Sequence, residues 1–506
     1  MPYMLGLDIG TSGAKAVLVG EDGSVAGVGN ASYPLSHPRP LWSEQDPDDW
    51  WAGAKAALRE AIQGDGVAPD EIVALGLTGQ MHGAVFLDET DTPIRPAMLW
   101  NDGRTDAQCD EIERRVGLER LLAITGNPAL EGFQAPKILW VREHEPEAYV
   151  RVRRVLLPKD YIRLLLTGDA ATDASDASGT LLLDLAAREW SDKLLSALDI
   201  PRAWLPTVHE SPELTGKLRE QVAAELGLPA GLPVAAGGGD NAAAAVGTGI
   251  VREGFVSSSV GTSGVIFAHT DAFLPDPEGR LHAFCHAIPD KYHLMGVTLA
   301  AGGSFSWWRD LLDPEMSFGD LSAEAASAPP GADGLLFLPY LSGERTPHRD
   351  PLARGAFVGL TARHTRAHMT RAVMEGVIFS LRESLALMRN LGVQIDHVRA
   401  TGGGARDPLW RELQADIYRT PVRRMRVEEG PALGAALLAG VGAGVFVDVM
   451  AASETIALHA EAQAPDPERA DRYDGLFRLY RSLYPTAADI MHELNTFASS
   501  ADSAGT

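Results

Sequence analysis

The tetrapeptide Gly-Thr-Ser-Gly occurs twice in this chain, at residues 10–13 within LDIGTSGAKAVLV and at residues 261–264 within SSVGTSGVIFAHT. Each copy sits between β-prone apolar runs, so each predicts a strand, a tight turn and a returning strand. The first unit continues through the hairpin signal EDGS into VAGVGNASY. The segment before the second copy, GLPVAAGGGDNAAAAVGTG, reads as strand, glycine loop and alanine-rich helix, and HVRATGGGARDPLWRELQADIYRT repeats that grammar later. Helical spacing of apolar residues marks PDDWWAGAKAALREAIQ, PKILWVREHEPEAYV and KDYIRLLLTG. Alternating strands and helices argue for an α/β architecture. With 506 residues the chain exceeds one ordinary core. The recurring strand-turn-strand opening suggests an internal duplication, two related α/β domains facing a cleft; coincidence between two common turn formers is the alternative.

The formal net charge of -24 disfavours a nucleic-acid backbone or an anionic membrane surface as partner. It leaves phosphate open, because backbone N–H groups bind it locally. Cys109 and Cys285 are the only cysteines and give neither a metal-ligand spacing nor a disulfide framework. With no basic stretch followed by an apolar one at the start, a cytoplasmic location is expected. The most membrane-like segment, from Pro431, is broken by Gly434, Gly440, Gly442 and Gly444 and reads as a buried helix with its exit turn.

A Gly-Thr-Ser-Gly turn presents N–H groups and two hydroxyls to an anion, and its glycines permit close approach. Asp8, two residues ahead of Gly10, fits a carboxylate holding hydrated Mg2+ beside phosphate oxygens, or equally a cap on the turn. Asp240 follows Gly237, Gly238 and Gly239 and precedes an alanine-rich helix. It reads as a helix cap or as the acceptor of a proton from a substrate hydroxyl attacking phosphorus, and the glycine run favours the second. Gly402, Gly403 and Gly404 repeat the pattern, as an open anion or ring site or as a tight connection. Gln80, Met81 and His82, and then Trp100, Asn101, Asp102 and Arg104, lie at the ends of apolar strands. Polar groups with an aromatic there suit a polyhydroxylated ligand, although His82 alone reads as structural and Trp100 alone as core. Neither a P-loop nor a protein-kinase signature set is present.

At these residues the sequence resembles the FGGY family of carbohydrate kinases. GLDIGTSGAK, LWSEQDP, GQMHGAVFLD, LWNDGR, GFQAPKILWV, LLPKDYIRL, GGGDNAAAAVG, SVGTSGV, HAFCHA, FLPYLSGERTPH, GAFVGLTARHTRAHMTRAVMEGV and GGGARDPLWRELQADI follow the family order to about residue 440. One departure is Gln134, where the first family signature has a small hydroxylated residue or proline. The resemblance implies two RNase-H-like domains of the actin, hexokinase and heat-shock-chaperone ATPase type around a central cleft. It divides the chain into 1–247, carrying the sugar site and first phosphate loop, and 248–506, carrying the nucleotide site and a helical tail from about 450. It implies ATP and Mg2+ as cofactors, a small sugar as substrate and a homodimer. Asp240 would be the general base and, with Asp8, would hold the metal. Met81, His82, Trp100, Asp102, Arg104 and Asn241 would face the sugar. Thr11, Ser12 and Lys15 would form the first phosphate loop, Gly261, Thr262 and Ser263 the second, and Gly302, Ser306, Gly403 and Gly404 the adenosine side. Glycerol kinases of the family carry an Arg-Glu pair where this chain has Met81 and His82, so the implied reaction is ATP-dependent phosphorylation of D-xylulose at O5. A kinase for D-ribulose, L-xylulose or glycerol, or an actin-like ATPase switch, are the alternatives.

Overall fold

Both Gly-Thr-Ser-Gly copies form the tip of a hairpin in the computed structural model, which describes residues 1–63, 66–425, 430–456 and 458–503. In the first half, β1 (Tyr3–Ile9) returns antiparallel as β2 (Gly13–Gly20), with Asp8 opposite Lys15, and β3 (Val25–Ser32) extends the meander. Helix α1 (Pro47–Ala61) packs across β2 and β3, opened by Asp46, whose carboxylate accepts from the Asp48 N–H. Strand β4 (Ile72–Gly79) runs parallel to β1 and is buried along almost its whole length, as a central strand covered on both faces must be. Strands β5 (Leu214–Lys217) and β6 (Pro233–Ala235) complete the sheet, β6 parallel to β4. The two-residue β7 (Gly238–Gly239) pairs with the end of β4 and delivers the chain into helix α2 (Asp240–Gly247).

The second half repeats this wiring. Strands β8 (Gly254–Val260) and β9 (Gly264–Thr270) form the second hairpin; β10 (His282–Cys285) and β11 (Tyr292–Thr298) extend it antiparallel. After helices α3 (Gly302–Leu312) and α4 (Arg366–Asn390), β12 (Ile395–Thr401) lies parallel to β8. Helix α5 (Pro408–Tyr418) leads to β13 (Val422–Met425), parallel to β12, and helix α6 (Gly430–Gly442) follows. An antiparallel meander with two parallel strands added beside its first member thus occurs twice. Shared topology favours duplication over coincidence between turns.

Packing crosses the division at 247/248, and one sequence expectation needs correction. The division falls between the two sheets, and α6 lies back across it against α2, β1 and β4 of the first half. Glycines make this approach possible: a Cβ on Gly76 would fall 1.8 Å from the Ala435 carbonyl oxygen, and one on Gly434 equally close to that of Ala243. Met4, Val17, Val246, Leu433 and Leu437 accordingly share one buried cluster. The stretch after 450 is not helical throughout. Strand β14 (Leu458–Gln463) adds an antiparallel edge to β13 before the long helix α7 (Pro467–Ser503) begins. Its short length, with alanine at two of its apolar positions, hid it in the sequence. Among the described residues no helix is long and apolar enough to cross a membrane, and the glycine-broken segment from Pro431 is the buried α6 and its turn.

Candidate active site

The first turn is held rigid by its neighbours. Its Gly10 N–H donates to the Gly13 carbonyl at 3.1 Å, and the Tyr33 hydroxyl donates to the Gly10 carbonyl at 2.6 Å. Gln45 Nε2 donates to the Thr11 carbonyl at 2.7 Å, while Trp100 Nε1 donates to Thr11 Oγ1, which donates onward to Gln80 Oε1. Trp100 is 45% exposed, so it stands over the turn rather than in the core. Tyr33, Gln45 and Gln80 are supports that sequence reading did not assign; only membership of conspicuous motifs marked the two glutamines. Ser12 is exposed and Lys15 half-buried at the start of β2.

Asp8 and Asp240 meet beside this turn. Helix α2 begins at Asp240 itself, capped by Gly239 without any side-chain bond, so Asp240 is not the helix cap. Its Oδ1 accepts from the Asn241 backbone N–H and Nδ2, at 2.7 and 2.8 Å, which orients Asn241 alongside it. Burial raises Asp240 to about 6, against the lowering effect of those Asn241 hydrogen bonds. Burial, and then repulsion from Asp240, raises Asp8 to about 7, opposed by the charge of Lys15. Asp8 Oδ1 is buried with no hydrogen-bond partner among the described residues, which argues against a turn-capping role. Two desolvated, mutually repelling carboxylates are a donor set suited to Mg2+, which takes one or two carboxylates and fills its octahedron with water and phosphate oxygens. No group of three or more His, Cys, Asp or Glu side chains suited to a metal occurs among the described residues, so a fully protein-ligated ion is not built here.

Met81 and His82 follow β4 and its single-residue extension Gln80. Met81 is buried against Gly239: a Cβ on that glycine would come 2.9 Å from the Met81 sulfur. His82 adopts a left-handed backbone with φ of 70° and donates from Nδ1 to the Gly179 carbonyl at 2.7 Å. Burial pushes its pKa down to about 3, so the ring is neutral and Nε2 is left as an acceptor. The expectation that Asp102 and Arg104 face a sugar needs correction. Arg104 Nε and Nη2 donate to the two Asp102 oxygens at 2.8 and 2.6 Å, Asp102 also accepts from the Ser43 N–H, and Arg104 reaches Glu44 at 2.8 Å. Both are buried and Arg104 lies over the Trp42 ring, so the pair braces the loop that carries Trp100. Gln134, the departure from the family signature, opens a helix and donates to the carbonyls of Gly83 and Leu156 at 2.9 and 3.1 Å.

The second turn is bonded to the start of α3, where the N–H groups of Gly302 and Gly303 donate to the carbonyls of Gly261 and Thr262 at 2.7 and 2.9 Å. Gly261, Thr262, Gly302, Ser306, Gly403 and Gly404 come together around one cavity of about 540 Å³, walled by Phe305, Phe318 and Trp410. The aromatic walls and Arg406 were not assigned from the sequence. Ser263 is exposed and lies outside this cavity. A neighbouring cavity of about 370 Å³ shares Gly403 and Arg406 with the first and extends to Asn241 and Pro431. A third, of about 340 Å³, holds Asp8, Gly10, Ser12 and Lys15 and shares Pro431 with the second. Cavities that share lining residues thus succeed one another from Asp8, past Asn241, to the chamber walled by aromatic rings.

Residues 3–247 match the N-terminal domain of the FGGY family of carbohydrate kinases, and residues 256–443 match its C-terminal domain. The chain is 43% identical to the xylulose kinase of Escherichia coli over 488 residues, covering 96% of this chain and 99% of that protein. It is 41% identical to the xylulose kinase of Lactococcus lactis over 499 residues, covering 98% and 99%. The crystal structure of xylulose kinase from Rhodospirillum rubrum superposes with a TM-score of 0.91 at 34% identity, over 97% of this chain and all of that one. Two family domains in order and near-complete coverage leave one assignment: the chain belongs to the FGGY family of carbohydrate kinases.

Proposed function

We propose that the chain is a xylulokinase, transferring the γ-phosphoryl group of ATP to O5 of D-xylulose to give D-xylulose 5-phosphate and ADP. The observation that carries the reading is Asp240: a half-buried carboxylate, free of any capping duty, with a pKa raised to about 6 and Asp8 beside it. The sugar assignment rests on the full-length xylulose kinase relatives and on the Met81–His82 pair. Asp240 orients the O5 hydroxyl and takes its proton as the bond to phosphorus forms, a late transfer in a loose transition state. His82 Nε2 accepts a hydrogen bond from a second sugar hydroxyl, Met81 supplies an apolar contact, and Trp100 covers a sugar face, with Asn241 beside the base. Asp8 and Asp240 would hold Mg2+, which when bound neutralises charge on the transferring phosphate. The N–H groups and hydroxyls of Thr11 and Ser12, with Lys15, hold the transferring end of ATP. Gly261, Thr262 and Ser263 face the nucleotide from the other half, and Gly302, Ser306, Gly403 and Gly404 line its adenosine. Positioning and electrostatics supply most of the effect, so closure of the cleft serves to exclude water as a competing acceptor.

Replacing the base tests this. Asp240→Ala is expected to lower kcat by about 10³-fold, within the range of general-base deletions, while the circular dichroism spectrum stays that of the parent. Turnover within a few-fold of the parent would remove Asp240 from the mechanism.

A further inference from the structure

Behind Asp240 lies a buried polar cluster to which the proposed mechanism gives no part. Lys159 is fully buried, and its Nζ lies 2.5 Å from Asp160 Oδ1, 2.9 Å from Asp173 Oδ1 and 3.5 Å from Asp176 Oδ2. One cation facing three enclosed carboxylates is an expensive arrangement for stability alone, since desolvation of each ion is repaid only by good geometry. Burial pushes the Asp176 carboxyl well above the usual carboxylate range, against the attraction of Lys159.

The cluster has a directed outlet. Asp173 Oδ1 faces Lys159, while Asp173 Oδ2 accepts from the Ser175 N–H at 2.8 Å, the Ser175 hydroxyl at 2.5 Å and the Ser211 hydroxyl at 3.0 Å. Because its proton is committed to Asp173, the Ser175 hydroxyl can only accept on its other side, and there it takes the Gly239 N–H at 3.1 Å. Gly239 directly precedes Asp240 and is the residue on which α2 is capped. The same short segment also supplies the Gly179 carbonyl that fixes His82. One short buried segment thus bonds to the backbone ahead of Asp240 through Ser175 and to the His82 ring through Gly179.

We propose that Lys159, Asp173 and Ser175 form a positioning relay that sets the direction of the Asp240 carboxylate by fixing the Gly239 peptide. None of the three touches substrate; each acts through the next. The inference rests on Asp240 being the base, as proposed above. It predicts that loss of the Ser175 hydroxyl frees the Gly239 peptide and misaims the carboxylate, an error that costs rate rather than binding.

The test compares Ser175→Ala, Ser175→Thr and Ser211→Ala in the full chain, with Mg2+ saturating and sugar and ATP each varied in turn. Each is assayed on whichever sugar of a ketose and polyol panel the parent protein uses best. Ser211→Ala is the control, because it removes a hydrogen bond of the same kind to Asp173 without breaking the link to Gly239. Ser175→Ala is expected to lose about 10- to 100-fold in kcat with sugar and ATP KM within about twofold, Ser175→Thr to recover most of it, and Ser211→Ala to stay near the parent. Equal kcat in Ser175→Ala and Ser211→Ala, or a fall in Ser175→Ala matched by a rise in KM, would overturn the relay. Using the best sugar separates this result from the choice of D-xylulose, and full activity in Asp240→Ala would refute the base assignment independently of Ser175.

Discussion

A carboxylate with a buried oxygen that accepts no hydrogen bond burdens the folded state, and Asp8 carries that burden near the end of β1. Its folded pKa of about 7 stands above the ordinary value of 3.8, through burial first and then repulsion from Asp240. The folded protein therefore holds a proton that the unfolded chain has released between those two values. Stability contributed by that proton is fully present below about pH 3.8 and is lost as the pH rises through 7. Asp8→Asn removes the penalty, so without Mg2+ and nucleotide it is expected to raise Tm at pH 8, with the gain shrinking toward pH 4.5. Catalysis should fall in the same variant. A Tm difference independent of pH would show that Asp8 is not desolvated in the free protein.

At the scale of elements, the junction of α2 with α6 and of α6 with β4 is where small residues are required. Gly434→Ala places a methyl group 1.8 Å from the Ala243 carbonyl oxygen, in contact with the helix that starts at Asp240. It is expected to destabilise the protein by about 1–3 kcal/mol, as overpacking does, and to lower activity as well. Gly475, inside α7 with nothing near its missing side chain, is the counter-case, where alanine should stabilise by about 1 kcal/mol through helix propensity. Urea unfolding of the two variants checks both; equal effects would contradict the close-approach account.

The hairpins, the glycine loops and most helices were legible because strand and turn signals are local, as in the two Gly-Thr-Ser-Gly units. The return of α6 to the first sheet was not, since its composition says that it is buried but not against which half. Asp240 illustrates the same limit: sequence placed it at a helix start, and only the backbone distinguishes a cap from the residue after one. Trp100 on its own read as core, and only its exposure places it over the first turn. Asp102 and Arg104 sit in a conspicuous motif, yet only three-dimensional pairing reveals that they serve each other. Ser175 lacked any signal beyond its place in a run of small and acidic residues.

For the whole molecule, the net charge of -24 and the binding of a polyanionic nucleotide are reconciled by local donors. Backbone N–H groups at two turns, with Lys15 near one and Arg406 at the chamber, act over a few ångströms, well within the screening length set by salt. Duplication supplies the two turns, and the packing of α6 on the first sheet joins the halves around them. In the proposed reading the sugar is chosen through Met81, His82 and Trp100, so its identity is the most exacting question for the account. The direct measurement is kcat/KM in a coupled ADP-release assay across D-xylulose, D-ribulose, L-xylulose, xylitol and glycerol. The account predicts the highest value for D-xylulose, with glycerol lower by about 10²-fold or more because it leaves polar groups of the site unpaired. A higher value for glycerol or another panel member, or ATP turnover indifferent to every sugar, would contradict it.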